Sequence, residues 1–139
     1  FHQARAQAKS IRLNLEKSRI TQAINANRFN LEEVFSNLIG NAIDYTPEGG
    51  KISIRVSVEG DYIAVRVTDT GIGIPEDDLQ RIFDRFYRVK NAKTRHILGT
   101  GLGLPIVKSI IDAHDGLIRV ESKLDFGTTF SVLLPIPAQ

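Results

Sequence analysis

The segment DTGIGIP, residues 69–75, places an acidic residue and two glycines directly after a stretch of strictly alternating residues. Ile63, Val65 and Val67 fall on one face of a predicted strand, and Asp69 continues that row. A carboxylate on a core-facing row needs a partner, because burying an unpaired polar group is costly. The exocyclic amine of a nucleobase would serve, and the glycines allow a planar ring to lie against the backbone. The alternative is an ordinary turn, which Asp-Thr-Gly commonly forms.

The elements around this segment predict one α+β domain. Residues 51–58 and 61–69 form a hairpin through a turn at Glu59-Gly60. Further strands are predicted at 11–18, 20–26, 117–123 and 127–135. Helices are predicted at 30–45, 75–86 and 104–116, after a short helical lead-in over the first ten residues. This order predicts a two-layer α/β sandwich, in which three helices cover one face of a mixed, largely antiparallel sheet.

Local signals indicate where two of the helices begin and end. Asn30 and Glu33 resemble a capping box at the start of the first predicted helix. Gly116 is expected to end the last one.

Composition excludes several classes of protein. The 139 residues suffice for one domain with a core, and the absence of cysteine excludes disulfides and thiolate metal sites. The formal net charge of +2 gives no general footprint for nucleic acid, and no apolar run reaches the length of a membrane span. We therefore expect no nucleic-acid partner and no direct membrane contact. The chain begins at Phe1 and lacks methionine, so we expect it to be a fragment of a longer protein.

A local basic cluster contrasts with the nearly neutral chain. Between Arg85 and Ile111 there are six basic residues and no acidic one: Arg85, Arg88, Lys90, Lys93, Arg95 and Lys108. This cluster favours a small anionic partner, whose phosphates Arg85 and Arg88 can clamp. Ordinary surface charge is the alternative.

One polar stripe on the 30–45 helix is a candidate metal site. Asn37, Asn41 and Asp44 are spaced i, i+4 and i+7, so they share one face. Amide oxygens suit Mg²⁺ that also bridges phosphates. A solvated polar face would give the same pattern.

Three glycines, Gly99, Gly101 and Gly103, stand directly before a predicted helix. A helix N-terminus with closely approaching backbone binds anions, although a plain loop is equally compatible with the pattern. The spacing matches neither the P-loop nor the dinucleotide-binding fingerprint.

Together, these segments resemble the ATP-binding domain of histidine kinases, within the gyrase and histidine-kinase superfamily that has the Bergerat fold. NLIGNAIDYTP (37–47) is similar to its N box, DTGIGIP to the G1 box, FDRF (83–86) to the F box and GTGLGL (99–104) to the G2 box. GTTF (127–130) is similar to its last strand. The resemblance implies a catalytic domain at 11–137, a lead-in from a preceding domain at 1–10, and an ATP lid at about 87–99.

The resemblance also implies roles for the matching residues. Asn41 would hold Mg²⁺, with Asn37 assisting, and Tyr45 would pack near the adenine. Asp69 would accept a hydrogen bond from the adenine amine, supported by Thr128 through a water molecule. Arg88 would reach the γ-phosphate, so that Asn37 and Arg88 are the expected catalytic residues. The other implied nucleotide contacts are Gly71, Gly73, Ile74, Arg85, Thr100, Gly101, Leu102, Gly103 and Leu104.

The implied function is that of the cytoplasmic catalytic domain of a two-component sensor histidine kinase, and the resemblance leaves open whether the parent protein is anchored in a membrane. The γ-phosphate of ATP would pass to a histidine on a separate dimerisation domain, and from there to the receiver domain of a response regulator. Hydrolysing relatives carry a glutamate where this chain has Asn37, which is no general base, and this favours transfer over hydrolysis. His2 lacks the pattern of a phosphoacceptor site, so the chain alone is expected to bind ATP without phosphorylating itself.

Three alternatives remain open at this point. One is an ATPase clamp of the same superfamily, and a weaker one is a serine kinase that regulates a transcription factor. Another is a docking module of a degenerate kinase without phosphotransfer. Asp44 keeps this alternative open, because many histidine kinases carry at this position a lysine that faces the phosphates.

Overall fold

A computed structural model of the chain describes residues 2–17, 23–85, 87 and 103–137. Its helices are α1 (His2–Ala8), α2 (Arg28–Tyr45) and α3 (Gly103–Ala113). Its strands are β1 (Arg12–Lys17), β2 (Lys51–Glu59), β3 (Tyr62–Asp69), β4 (Leu117–Lys123) and β5 (Gly127–Pro135). Arg88, Thr100, Gly101 and Leu102 lie outside the described residues, as does nearly all of the expected ATP lid.

The five strands form one sheet in the order β1-β2-β3-β5-β4. β1 pairs with β2 in parallel, and the remaining pairs are antiparallel. Parallel neighbours need a crossover connection, which α2 provides here. The predicted α+β sandwich with a mixed, largely antiparallel sheet is confirmed.

The core lies between one face of the sheet and the helices. Val34 and Leu38 of α2 and Val107 and Ile111 of α3 are fully buried against the sheet. The inward row of β5 is buried at Thr128, Phe130, Val132 and Leu134. In the register, this row continues across the sheet from one strand to the next, and Asp69 lies directly opposite Thr128.

Two predicted elements are wrong. The strand predicted at 20–26 is not formed in its described part, because residues 23–27 have no strand structure. The predicted helix at 75–86 is a 3₁₀ turn at Glu76–Asp78, followed by further turns to Arg85. Only Ile82 of the described residues in this segment is fully buried, so little packing supports a regular α-helix there.

The predicted ends of three elements shift by a few residues. α2 begins at Arg28, because the side chain of Asn27 caps it by accepting from the N–H of Asn30 at 3.0 Å. The hairpin turn consists of residues 60 and 61, since Glu59 already pairs with Tyr62.

At the end of α3, the residue with a left-handed backbone conformation is Asp115, one position before the glycine that the sequence indicates. Asp115 has φ of 57°, and the N–H of Gly116 donates to the carbonyl of Ile111 at 3.0 Å. This is a Schellman ending with an aspartate in the position that glycine usually takes. None of the described helices is long and apolar enough to cross a membrane.

Candidate functional site

Asp69 ends β3 on the core-facing side of the sheet. Only 8% of the surface of Asp69 is exposed to solvent. The N–H groups of Gly71 and Thr128 both donate to Oδ1, at 2.8 Å and 3.2 Å. Within the described part of the chain no donor contacts Oδ2, so this oxygen has capacity for one from a ligand. The predicted inward position of Asp69, and its proximity to Thr128, are both confirmed.

Burial raises the pKa of the Asp69 carboxyl above its ordinary value, although the hydrogen bonds from Gly71 and Thr128 act in the opposite direction. Desolvation therefore outweighs the two backbone donors. The charged form of this side chain is therefore less favourable in the folded domain than in water. A carboxylate in this state favours a ligand that brings an N–H group.

The loop after Asp69 is held between the end of α2 and the turn that joins β4 to β5. The N–H of Ile72 donates to the carbonyl of Tyr45 at 3.1 Å, and the carbonyl of Ile72 accepts from the N–H of Asp125 at 2.8 Å. A β-carbon at position 71 would clash with that Tyr45 carbonyl. Gly73 has φ of 75°, and a β-carbon there would clash with the carbonyl of Lys123. Both glycines are therefore required by close backbone contacts, which also fix the loop beside Asp69.

A hydroxyl pair continues the site across the sheet. The Oγ atoms of Thr128 and Ser122 lie 2.8 Å apart, and Ser122 donates to the carbonyl of Gly127 at 3.0 Å. Ser122 also accepts from the N–H of Ile74 at 2.7 Å. Because the Ser122 hydroxyl donates its proton to the carbonyl of Gly127, its oxygen accepts a hydrogen bond from the Thr128 hydroxyl. The Thr128 oxygen keeps lone pairs that can accept a hydrogen bond from a further donor. Sequence reasoning missed Ser122, although its place on the inward row of β4 was a usable signal.

The polar stripe of α2 meets the start of α3. Nδ2 of Asn37 donates to the carbonyl of Glu33 at 2.9 Å, which fixes the amide. A β-carbon built on Gly103 would lie 3.1 Å from Oδ1 of Asn37, so this oxygen lies against the first turn of α3. Asn41 follows one turn later on the same face and is half-buried. Asn37 and Tyr45 are eight residues apart along α2, or about 12 Å, which is comparable to the length of a nucleoside triphosphate.

The remaining predicted site residues in the described part are less specific. Tyr45 is half-buried, and Leu104 and Ile74 pack against the core. Arg85 is exposed at the end of the turns that follow Glu76–Asp78. No group of three or more histidine, aspartate or glutamate side chains that could hold a metal ion occurs among the residues that the structure describes.

A comparison with protein families decides the family of this chain. The model for histidine kinase-, DNA gyrase B- and HSP90-like ATPases matches residues 26–138, which include α2, the Asp69 loop, α3 and the last two strands. The chain belongs to this family.

Curated members that resemble this ATPase domain are sensor histidine kinases. The sensor histidine kinase WalK of Bacillus subtilis is 47% identical over 107 residues, covering 76% of this chain and 18% of WalK. The sensor histidine kinase RcsC of Escherichia coli is 42% identical over 114 residues, covering 82% of this chain and 12% of RcsC. The chain therefore spans less than a fifth of the length of these relatives.

Solved structures of histidine kinases share the fold of this ATPase domain. The catalytic domain of histidine kinase ThkA superimposes with a TM-score of 0.82 at 32% identity, covering 96% of this chain and 84% of that one. Full-length ShkA in complex with AMPPNP gives a TM-score of 0.82 at 31% identity, covering 98% of this chain and 28% of that one.

The raised pKa of Asp69 predicts that Asp69→Asn stabilises the ligand-free domain. Asparagine keeps an oxygen for the N–H groups of Gly71 and Thr128 but removes the buried charge. The pKa of the Asp69 carboxyl in the folded domain lies above the unfolded value of about 3.9. The folded domain therefore loses stability as the pH rises through that folded-state pKa. Thermal unfolding should show similar midpoints for both chains below pH 4, and a midpoint a few degrees higher for Asp69→Asn at pH 7 to 8.

The matched control is Asp61→Asn, at an exposed position of the hairpin turn, which should leave the midpoint unchanged. A lower midpoint of thermal unfolding for Asp69→Asn across the whole pH range would contradict the conclusion that the two backbone donors compensate the buried charge only in part.

Proposed function

We propose that this domain binds ATP and delivers its γ-phosphoryl group to a histidine on a dimerisation domain of the same parent protein. The observation that carries the proposal is the buried Asp69 carboxylate, with both backbone donors on Oδ1. The family of the chain and its kinship to sensor histidine kinases support the phosphotransfer.

Adenine fits the Asp69 end of the site by its hydrogen-bonding pattern. Its exocyclic amine is a donor, and it would lie opposite Oδ2 of Asp69. The Thr128 hydroxyl is placed to accept from a water molecule that also contacts the base. The loop at Gly71 and Gly73 approaches without side chains, which suits the flat face of a purine.

The triphosphate fits the other end, where α2 meets α3. The first turn of α3 begins at Gly103, and a helix N-terminus presents backbone N–H groups and the positive end of the helix dipole to an anion. Asn41 and Asn37 present amide oxygens, which are suitable hard ligands for Mg²⁺. When bound, Mg²⁺ would neutralise charge that develops on the phosphates. Arg88, Thr100, Gly101 and Leu102 complete this end in the proposal, together with Arg85 as a second guanidinium.

Transfer is favoured over hydrolysis by the chemistry of Asn37. An amide cannot take a proton from water, and this one already donates to the carbonyl of Glu33. Catalysis would then consist of positioning and of electrostatic stabilisation, as is usual for phosphoryl transfer.

The proposed arrangement of the parent protein is that of a two-component kinase. Residues 11–137 form the catalytic domain, 1–10 the end of the preceding segment, and about 87–99 the lid over the nucleotide. The phosphohistidine would then pass its phosphoryl group to the receiver domain of a response regulator in the cytoplasm.

Asp69→Asn should weaken ATP binding about 10- to 100-fold, the range expected when a hydrogen bond to a charged group is lost. In the variant, an amide NH₂ would face the adenine amine, so two donors would meet. Calorimetric titration with MgATP measures the change, and the same titration in EDTA measures the contribution of Mg²⁺. Asp61→Asn serves as the isosteric control and should bind as the unsubstituted chain does. Equal affinity for Asp69→Asn would refute the proposed adenine contact.

Phosphotransfer should appear only when the dimerisation domain is supplied. We expect acid-labile label from γ-labelled ATP on that domain's histidine, none with the chain alone, and a strong reduction with Asp69→Asn. Steady release of phosphate by the chain alone would identify an ATPase clamp instead. ATP binding without any phosphohistidine would identify a docking module, and acid-stable label would identify a serine kinase.

A further inference from the structure

Asp44 lies on the polar stripe of α2, between Tyr45 and Asn41, which holds Mg²⁺ in the proposed function. It follows Asn41 by three residues, so both side chains project from the same face of the helix. Its side chain is about one-third exposed. An unpaired carboxylate in this position would repel a triphosphate, because charges at a half-buried site are only partly screened.

The structure gives this carboxylate a partner from the other end of the sequence. The guanidinium of Arg5 in α1 forms an ion pair with Oδ1 of Asp44. The two residues are 39 positions apart, so the pair exists only when α1 is packed against α2.

The packing of α1 does not depend on that ion pair alone. Ala6 is fully buried in the core. The ammonium group of Lys9 donates to the carbonyl of Ile43 at 2.8 Å, at the C-terminal end of α2, where a cation is favoured by the helix dipole. The N–H of Arg12 donates to the carbonyl of Gly50 at 3.0 Å, which ties the chain after α1 to the start of β2. The position of Arg5 is therefore imposed by the fold around it.

We infer that Arg5 is a positioning residue of the nucleotide site, which neutralises Asp44 and thereby permits a triphosphate to bind beside Asn41. This inference rests on the proposed function. It has a second consequence. Because the guanidinium reaches Asp44 only from docked α1, the docking of α1 and the binding of the triphosphate stabilise each other, as linkage requires. The segment that leads into the domain is thus coupled to the occupancy of its site.

The test compares ATP with adenosine, which has the same base and no phosphate. Arg5→Gln should weaken MgATP binding about three- to tenfold, as expected for one uncompensated charge at a partly exposed site, and should leave adenosine binding unchanged. The loss should shrink when salt is raised from about 0.05 to 0.5 M. Arg5→Gln combined with Asp44→Asn should recover the original MgATP affinity, and Asp44→Asn alone should bind MgATP equally or more tightly.

Arg28→Gln is the matched control. It makes the same change of charge at the opposite end of α2, where Arg28 forms an exposed pair with Glu32 at 3.0 Å. It should leave MgATP binding unchanged. Equal weakening of ATP and adenosine by Arg5→Gln, or no recovery in the double variant, would overturn the inference while the proposed function stands. Failure of the unsubstituted chain to bind either ligand would overturn the proposed function and this inference with it.

Discussion

The partial compensation of one buried charge, the carboxylate of Asp69, determines the structure around the end of β3. Burial raises its pKa, and two backbone N–H groups on Oδ1 offset only part of that cost. The fold therefore holds an acceptor whose second oxygen still has hydrogen-bonding capacity at the edge of the core. Such a group lowers the stability of the empty domain and favours a ligand that donates to it, a balance often found at functional sites.

The surrounding backbone makes this end of the site rigid. The loop that contains Gly71 and Gly73 is bonded to the end of α2 on one side and to the β4–β5 turn on the other. Its glycines are dictated by contacts with backbone carbonyls, which cannot move aside as a flexible side chain can. The polar stripe of α2 differs, because its charged and polar side chains contact residues of separate elements. One of these charges, Asp44, is paired with Arg5 of the distant α1.

The sequence predicted the surroundings of Asp69 well and the contact between α2 and α3 only in outline. A period of two along β3 made the inward position of Asp69 visible, and the family resemblance placed Thr128 beside it. Ser122 was missed, because its contact with Thr128 depends on the register between β4 and β5. The turns from Glu76 to Arg85 were predicted as part of a helix, since apolar spacing alone does not distinguish a series of 3₁₀ turns from an α-helix. The partner of Asp44 lies 39 residues away and could not be found from local spacing.

The central claim is that Asp69 recognises the exocyclic amine of adenine, and a change of ligand tests it more directly than any mutation. Inosine triphosphate differs from ATP at this edge, where a carbonyl oxygen replaces the amine. We expect the unsubstituted chain to bind MgATP at least about tenfold more tightly than the inosine nucleotide, since the carboxylate would then face an acceptor. In Asp69→Asn this preference should disappear, because the amide can donate to that oxygen. Equal affinity of the unsubstituted chain for the two nucleotides would contradict the account.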